Sequence, residues 1–271
     1  MTNEDDFLKN YDPRAFAPVA VTADVVALTI RQDQLCVLLV KRARPPFNGL
    51  WALPGSFLRP HQTENGEQWE SLEQAAIRAL ADKTGLSAAS VPEILTGIHL
   101  EQLCSYGEPG RDPRMTVVSV AYMAFGPDFS EPSAGTGTSE ACWVAVSALN
   151  LTAERQQAAT EFPLAFDHAQ IIYDGLERAR AKLEYTGLAT AFVKETFTLA
   201  DLRRVYEIVW DTKIHPSNFA RKLLSARHLL VATGENTSRG SVAGGRRSAL
   251  YRRGASLVLM PPILRKELRH G

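Results

Sequence analysis

Two groups of cationic side chains stand out in the 271-residue chain, because their neighbours suit them to hold anions. In the first, Arg42 and Arg44 sit where an apolar run enters a Pro/Gly-rich loop, close to Phe47 and Trp51. Guanidinium groups grip a diphosphate through paired hydrogen bonds, and aromatic rings offer a stacking face for a base. The same four residues also fit a core tryptophan beside a solvated basic edge. In the second group, a helical wheel of about 100° per residue brings Asn218, Arg221, Lys222 and Ser225 into one sector of a helix that starts near Ser217. Phe219, Leu223 and Leu224 point away from that sector, towards a packed interior. One packed face and one face of Asn, Arg, Lys and Ser is what a helix needs to meet phosphates and base edges. Arg239, Arg246 and Arg247 follow in a Ser/Gly/Arg-rich stretch that would carry further cations to the same side.

These side chains need a scaffold, and the hydrophobic pattern supplies one. Residues 19–30 and 35–42 are β-branched apolar stretches separated by Arg31, Gln32, Asp33 and Gln34, which reads as a hairpin. Further strands are expected over 91–102, 115–125 and 140–146, with a polar insert over 59–68 and a loop over 127–138. A helix is predicted over 69–83, with Trp69, Leu72, Ala76, Ile77 and Leu80 on its apolar side and Gly85 ending it. Pro163 marks a break, after which Asp167 caps a helix running to about residue 184, the joint between two halves. Thr198 and Asp201 have capping-box spacing at the head of a helix striped with Leu199, Leu202, Val205, Tyr206 and Val209. Residues 211–216 break that helix before the cationic one begins. Short strands over 229–232 and 249–252 then flank the basic loop, which completes a winged helix-turn-helix. The division expected is 1–163 for a ligand-binding domain and 164–271 for the linker helix and winged helix.

In the front half, Leu53, Pro54 and Gly55 are followed by Glu70, by Arg78 eight residues later, and by Gly85 and Leu86. This run resembles the Nudix family, whose box reads G-x5-E-x7-R-E-U-x-E-E-x-G-U with U apolar. The resemblance covers about residues 19–147 and implies a Nudix-like α/β/α sandwich, so the fold class expected for the whole chain is α+β. There are two departures. Gly55 and Glu70 are 15 positions apart against the family's 6, which leaves nine extra residues between them. The three box carboxylates fall at Ala79, Asp82 and Lys83, so only Asp82 can ligate. Hydrolysis of this type needs a divalent metal gripped by several hard oxygens, so neither catalytic nor metal-binding residues are expected.

Residues 107–114 resemble a loop common in Nudix proteins that handle ADP-ribose. That resemblance adds Arg111 and Arg114 to Arg42, Arg44, Phe47, Trp51, Gly55 and Arg78 as the expected effector-binding set. A Nudix-like domain without its carboxylates, followed by a basic winged helix, is similar to the Nudix-related transcriptional regulators of bacteria. The resemblance implies a homodimeric repressor on a palindromic double-stranded DNA operator of NAD metabolism genes, with ADP-ribose or a related NAD-derived nucleotide as effector and no required cofactor. Ser217, Asn218, Arg221, Lys222, Ser225, Arg246 and Arg247 are then the expected DNA contacts. Some relatives control sugar utilisation instead. The alternative is an active hydrolase of ADP-ribose or a related nucleoside diphosphate, with Glu64, Glu67, Glu70, Glu73 and Asp82 as unusual ligands.

Composition agrees with that division. Formal net charge is +0, yet residues 1–187 hold 15 basic against 24 acidic residues, and residues 188–271 hold 15 against 6. An acidic front and a basic tail suit a tail that faces a polyanion. Cys36, Cys104 and Cys142 are odd in number and far apart, which reads as reduced cytosolic thiols; the resemblance adds that the cytoplasm is bacterial. No apolar run approaches the roughly 18 residues of a membrane span, and the first ten residues are too acidic for a signal peptide.

Overall fold

The computed structural model describes residues 3–64, 66–84, 98–127, 129–226, 228–237 and 247–265. An eight-residue helix, α1 (Asn3–Asn10), opens the chain; the sequence reading did not foresee it. Strands β1 (Ala20–Arg31) and β2 (Gln34–Arg42) form the expected hairpin. It turns through Gln32 and Asp33 at φ 48° and 60°, two successive left-handed residues whose twist matches that of the flanking strands.

The sheet built on this hairpin also takes in β3 (Trp51–Ala52), β4 (Gly55–Phe57), β7 (His99–Tyr106), β8 (Val117–Phe125) and β9 (Thr138–Ala145). Its order is β3-β2-β1-β8-β7, with β4 pairing β1 and β9 pairing β2. β1 and β8 run parallel from Ala20↔Val117 to Leu28↔Phe125, and the other pairs are antiparallel. Because β1 is covered on both faces, its two alternating sets of side chains enter different cores. Val25 and Ala27 meet Ala75, Ala76 and Leu80 of α2 (Leu72–Thr84). Val26 and Leu28 join Ile171, Ile172 and Leu176 of α3 (His168–Tyr185). Helix, sheet and helix thus form the three-layered sandwich.

The polar insert over 59–68 forms a second hairpin, β5 (Pro60–Thr63) with β6 (Gly66–Trp69), and it accounts for the extra residues before Glu70. Trp69 ends that hairpin, 67% exposed, and is not on the apolar side of α2. The helix begins later because Ser71 and Gln74 cap it. The Gln74 N–H donates to Ser71 Oγ at 3.1 Å, and the Ser71 N–H donates to Gln74 Oε1 at 2.8 Å. The expected helix end at Gly85 and the strand start over 91–97 lie outside the described residues.

The back half follows the expected order of α4 (Leu199–Trp210), α5 (Pro216–Ser225), β10 (Leu230–Asn236) and β11 (Ala249–Arg253). Thr198 and Asp201 close a reciprocal capping box, at 2.9 and 3.1 Å. Phe197 exchanges backbone hydrogen bonds with Tyr251, tying the head of α4 to the wing strand. Tyr206 stands edge-on to both Trp210 and Phe219, which seats α5 on α4. Leu224 departs from the expected wheel: it is 53% exposed, whereas Phe219 and Leu223 are buried. The core that contains Val26 and Ile171 continues without a break through Leu188, Tyr206, Phe219 and Ile263.

Gly55 is the tightest point of the sandwich. A Cβ there would overlap the Asp24 carboxylate, which is buried and receives the Ser119 and Thr22 hydroxyls. Gly55→Ala is therefore expected to cost about 1–3 kcal/mol of stability, read as an earlier urea midpoint. An unchanged midpoint would show that Asp24 can swing aside without penalty.

Candidate functional site

The end of β2, the edge strand β4, the C-terminal end of α2, the 107–114 loop and the first residue of α3 surround a cavity of about 280 Å³. Five cations line it: Arg42, Arg44, Lys83, Arg111 and Arg114. The carboxylates on its wall are Asp24 and Asp112. Arg111 is almost fully buried and holds Asp167, the residue that precedes α3, through two hydrogen bonds of 2.6 and 2.8 Å. Arg114 is held by Asp112 at 2.7 Å, and in return its guanidinium keeps the Asp112 carboxyl below the usual carboxylate range. Arg42 lies 4.8 Å above the Phe166 ring and donates through Nε to the Pro46 carbonyl at 2.8 Å.

Charge is concentrated here beyond what these partners neutralise. Burial and then the nearby Arg114 push Arg42 down from its ordinary value. Burial also pushes the Lys83 ammonium down, with Arg42, Arg78 and Arg44 adding to the effect. Two protonated groups each made costlier by desolvation and by like charges define a pocket for an anion. The His168 imidazole is fully enclosed, which pushes its pKa down, and its Nδ1 accepts the Leu53 N–H at 2.9 Å. It therefore contributes a neutral wall where α3 begins.

Of the expected effector-binding residues, the structure brings Arg42, Arg44, Gly55, Arg111 and Arg114 to this pocket. Phe47 stands behind it, edge-on to Phe166 at 4.8 Å. Trp51 lies in the core, 6% exposed and packed on Phe162, because β3 turns it towards the α3 layer. Arg78 is used inside the fold: it donates to Glu70 at 2.5 and 2.8 Å, to Ser56 Oγ at 2.7 Å and to the Phe57 carbonyl at 2.9 Å. Its expected pairing with Asp82 is present but longer, at 3.5 Å. Phe57, Lys83, Phe166 and His168 were not in the expected set, although all four line the pocket. For Lys83 the sequence carried a signal, since a cation stands at a metal-ligand position. The two phenylalanines and His168 arrive only through folding.

Residues 79–83 do not fit a divalent metal. Ala79 is buried and has no donor, Lys83 presents an ammonium, and the Glu70 carboxylate is held by Arg78. Among the described residues no three His, Cys, Asp or Glu side chains converge to hold a metal.

On the second candidate face, Ser217 and Arg221 are exposed along α5, with Asn218 and Lys222 half-buried beside them. Arg221 donates to Asn218 Oδ1 at 3.2 Å, one helical turn away. Ser225 is exposed, and its hydroxyl donates to the Lys222 carbonyl. Arg247 is exposed just ahead of β11, whereas Arg239 and Arg246 lie outside the described residues. A larger cavity, about 880 Å³, separates the front sheet from α4. Arg204 of α4 pairs across it with Asp33 of the front hairpin at 2.9 Å, and along its own helix with Glu207 at 3.7 Å.

A sandwich with a cationic pocket, joined through one helix to a winged helix with an exposed polar and cationic face, defines a ligand-sensing regulator. Comparison with known proteins agrees. Residues 19–164 match the NUDIX domain model, and residues 189–253 match that of the NrtR DNA-binding winged helix domain. The chain is 28% identical over 251 residues to the ADPR responsive transcriptional repressor NtrR of Acinetobacter baylyi, covering 93% of this chain and 88% of that one. It is similar to Shewanella oneidensis NrtR complexed with a 27mer DNA, at 31% identity and TM-score 0.66, covering 90% and 99% of the two chains. The Nudix domain of that same protein, complexed with ADP ribose, matches at 36% identity and TM-score 0.51, over 66% of this chain and 99% of that one. An ADP-ribose pyrophosphatase of Methanocaldococcus jannaschii is 32% identical over 171 residues, 62% of this chain and 78% of its own. The chain belongs to the NrtR family of Nudix-fold transcriptional regulators.

The Arg78–Glu70 pair makes a pH-dependent contribution. Hydrogen bonds from Arg78 hold the Glu70 carboxyl below its ordinary 4.5, so in that range the unfolded chain binds more protons than the folded one. The contribution is full above 4.5 and fades as the pH falls through the folded value. Arg78→Ala leaves the nearly buried Glu70 carboxylate with only the Arg59 N–H of its present donors and is expected to cost about 1–3 kcal/mol at neutral pH. Denaturation midpoints should show the gap to the parent protein narrowing as the pH falls below 4.5.

Proposed function

We propose that this protein is an ADP-ribose-responsive transcriptional repressor of NAD metabolism genes, which leaves its operator when the nucleotide fills the front pocket. The observation that carries the reading is that pocket and DNA-reading domain share one helix. Arg111 and His168 form part of the pocket wall, and Arg111 holds Asp167 at the head of α3. At the far end of α3, Arg180 Nε donates to the Val209 carbonyl and the Trp210 indole donates to the Arg180 carbonyl, both at 3.0 Å. A ligand that draws on Arg111 therefore acts on the element that carries α4 and α5. Only differential affinity for two arrangements is needed for that to become regulation.

The protein acts as a homodimer on a palindromic site, since a two-fold axis places two recognition helices about one DNA turn apart. It works in the bacterial cytoplasm, requires no cofactor, and does not hydrolyse its effector, because Ala79 and Lys83 leave no cradle for the metal.

Fluorescence anisotropy on DNA from upstream of its own and neighbouring genes tests the reading. Specific binding that ADP-ribose releases is expected; specific binding that ADP-ribose leaves unchanged would remove the effector assignment. Arg221→Ala or Lys222→Ala should weaken operator binding about tenfold or more and flatten its salt dependence, with ADP-ribose affinity unchanged. Asp167→Asn should still bind both ligands, while ADP-ribose shifts the operator Kd by a smaller factor than in the parent protein.

A further inference from the structure

Lys83 occupies the last carboxylate position of the box, and the fold holds it there firmly. Three carbonyls at the C-terminal end of α2 are taken by the 133–136 loop: Thr84 O by the Ser133 N–H at 2.8 Å, Lys83 O by the Gly135 N–H at 3.2 Å, and Asp82 O by the Thr136 N–H at 2.6 Å. The approach is so close that a Cβ on Gly135 would overlap the Asp82 carbonyl. The Lys83 ammonium then donates to the Thr136 carbonyl at 2.8 Å and faces the same cavity as Arg42 and Arg44. An ammonium carries three N–H donors, and this carbonyl takes one of them.

We propose that Lys83 replaces the divalent cation of a Nudix site: with Arg42 and Arg44 it neutralises the diphosphate of the bound nucleotide, so that recognition proceeds without metal. The inference rests on the reading that this pocket takes ADP-ribose. It follows from three facts taken together. Of the three box carboxylate positions, 79, 82 and 83, only Asp82 keeps a carboxylate, and it is paired with Arg78. Three cations, Arg42, Arg44 and Lys83, line the cavity beside the box helix, and their charge would repel a divalent cation there. The helix end and the Thr136 carbonyl favour a cation at Lys83 and aim it. A built-in ammonium supplies charge and hydrogen bonds but lacks the Lewis acidity that activates water, so the site binds a diphosphate and leaves it intact.

Titration calorimetry of the full chain with ADP-ribose, in EDTA and in Mg²⁺, tests this. The parent protein is expected to bind equally in both. Lys83→Met should lose about ten- to a hundredfold in affinity in either buffer with an unchanged melting temperature, and Lys83→Arg should retain binding. Lys83→Glu, which restores a carboxylate beside Asp82, should bind poorly in EDTA and recover with Mg²⁺. Parental affinity in Lys83→Met, or parental binding that EDTA abolishes and Mg²⁺ restores, would overturn the proposal while leaving the effector assignment standing. Absence of binding by the parent protein in both buffers would remove the effector assignment and this inference together.

Discussion

Helix α3 is buried along its length against two different partners, and most of the architecture depends on that. Its first turns close the sandwich over Val26 and Leu28, and its last turns carry the winged helix through Arg180, Glu184 and Leu183. Polar ties fasten the helix to both neighbours. Towards the sheet edge, Asp174 receives the Tyr106 hydroxyl at 3.1 Å, and Lys182 pairs with Glu101. Towards the winged helix, Glu184 accepts the Arg265 N–H at 3.0 Å. A helix secured to both neighbours transmits a displacement at one end as a change in position at the other, since packed interiors resist compression.

The front pocket is the electrostatic counterpart of this mechanical arrangement. Arg111 and Arg114 each face a carboxylate that belongs to the fold, while Arg42, Arg44 and Lys83 crowd one another. A bound anion would relieve that crowding and also compete with Asp167 for Arg111. The groups that would hold an anion and the ion pair at the head of α3 thus lie beside one another in one small cavity.

The sequence made the central sandwich legible because β1 and β2 are continuous apolar runs, and because Thr198 and Asp201 announce α4 locally. Other features left no pattern to find. Strands β5 and β6 expose nearly every residue, so no alternation of apolar and polar side chains marks them. Trp69 fits a helical wheel by type, but the Ser71–Gln74 cap starts the helix three residues later. Asp167 has the right chemistry to cap α3, yet its carboxylate goes to Arg111, 56 residues earlier in the chain, and makes no hydrogen bond to the helix. Trp51 and Arg78 suit a nucleotide site by type. Only the register of β3 and the position of Glu70 decide that one enters the core and the other braces the fold.

The unbroken core that runs from β1 through α3 into α4 and α5 has an evolutionary side. Winged helices are often treated as interchangeable parts, but this one shares buried leucines, valines and aromatics with the helix that closes the sensor. Cutting the chain between the two would open apolar surface on both products. A lineage that exchanged its DNA-reading half for another would therefore have to carry α3 along with it, or rebuild the seam residue by residue. Sensor and reader thus fold as one object, because the seam between them is part of a single buried core.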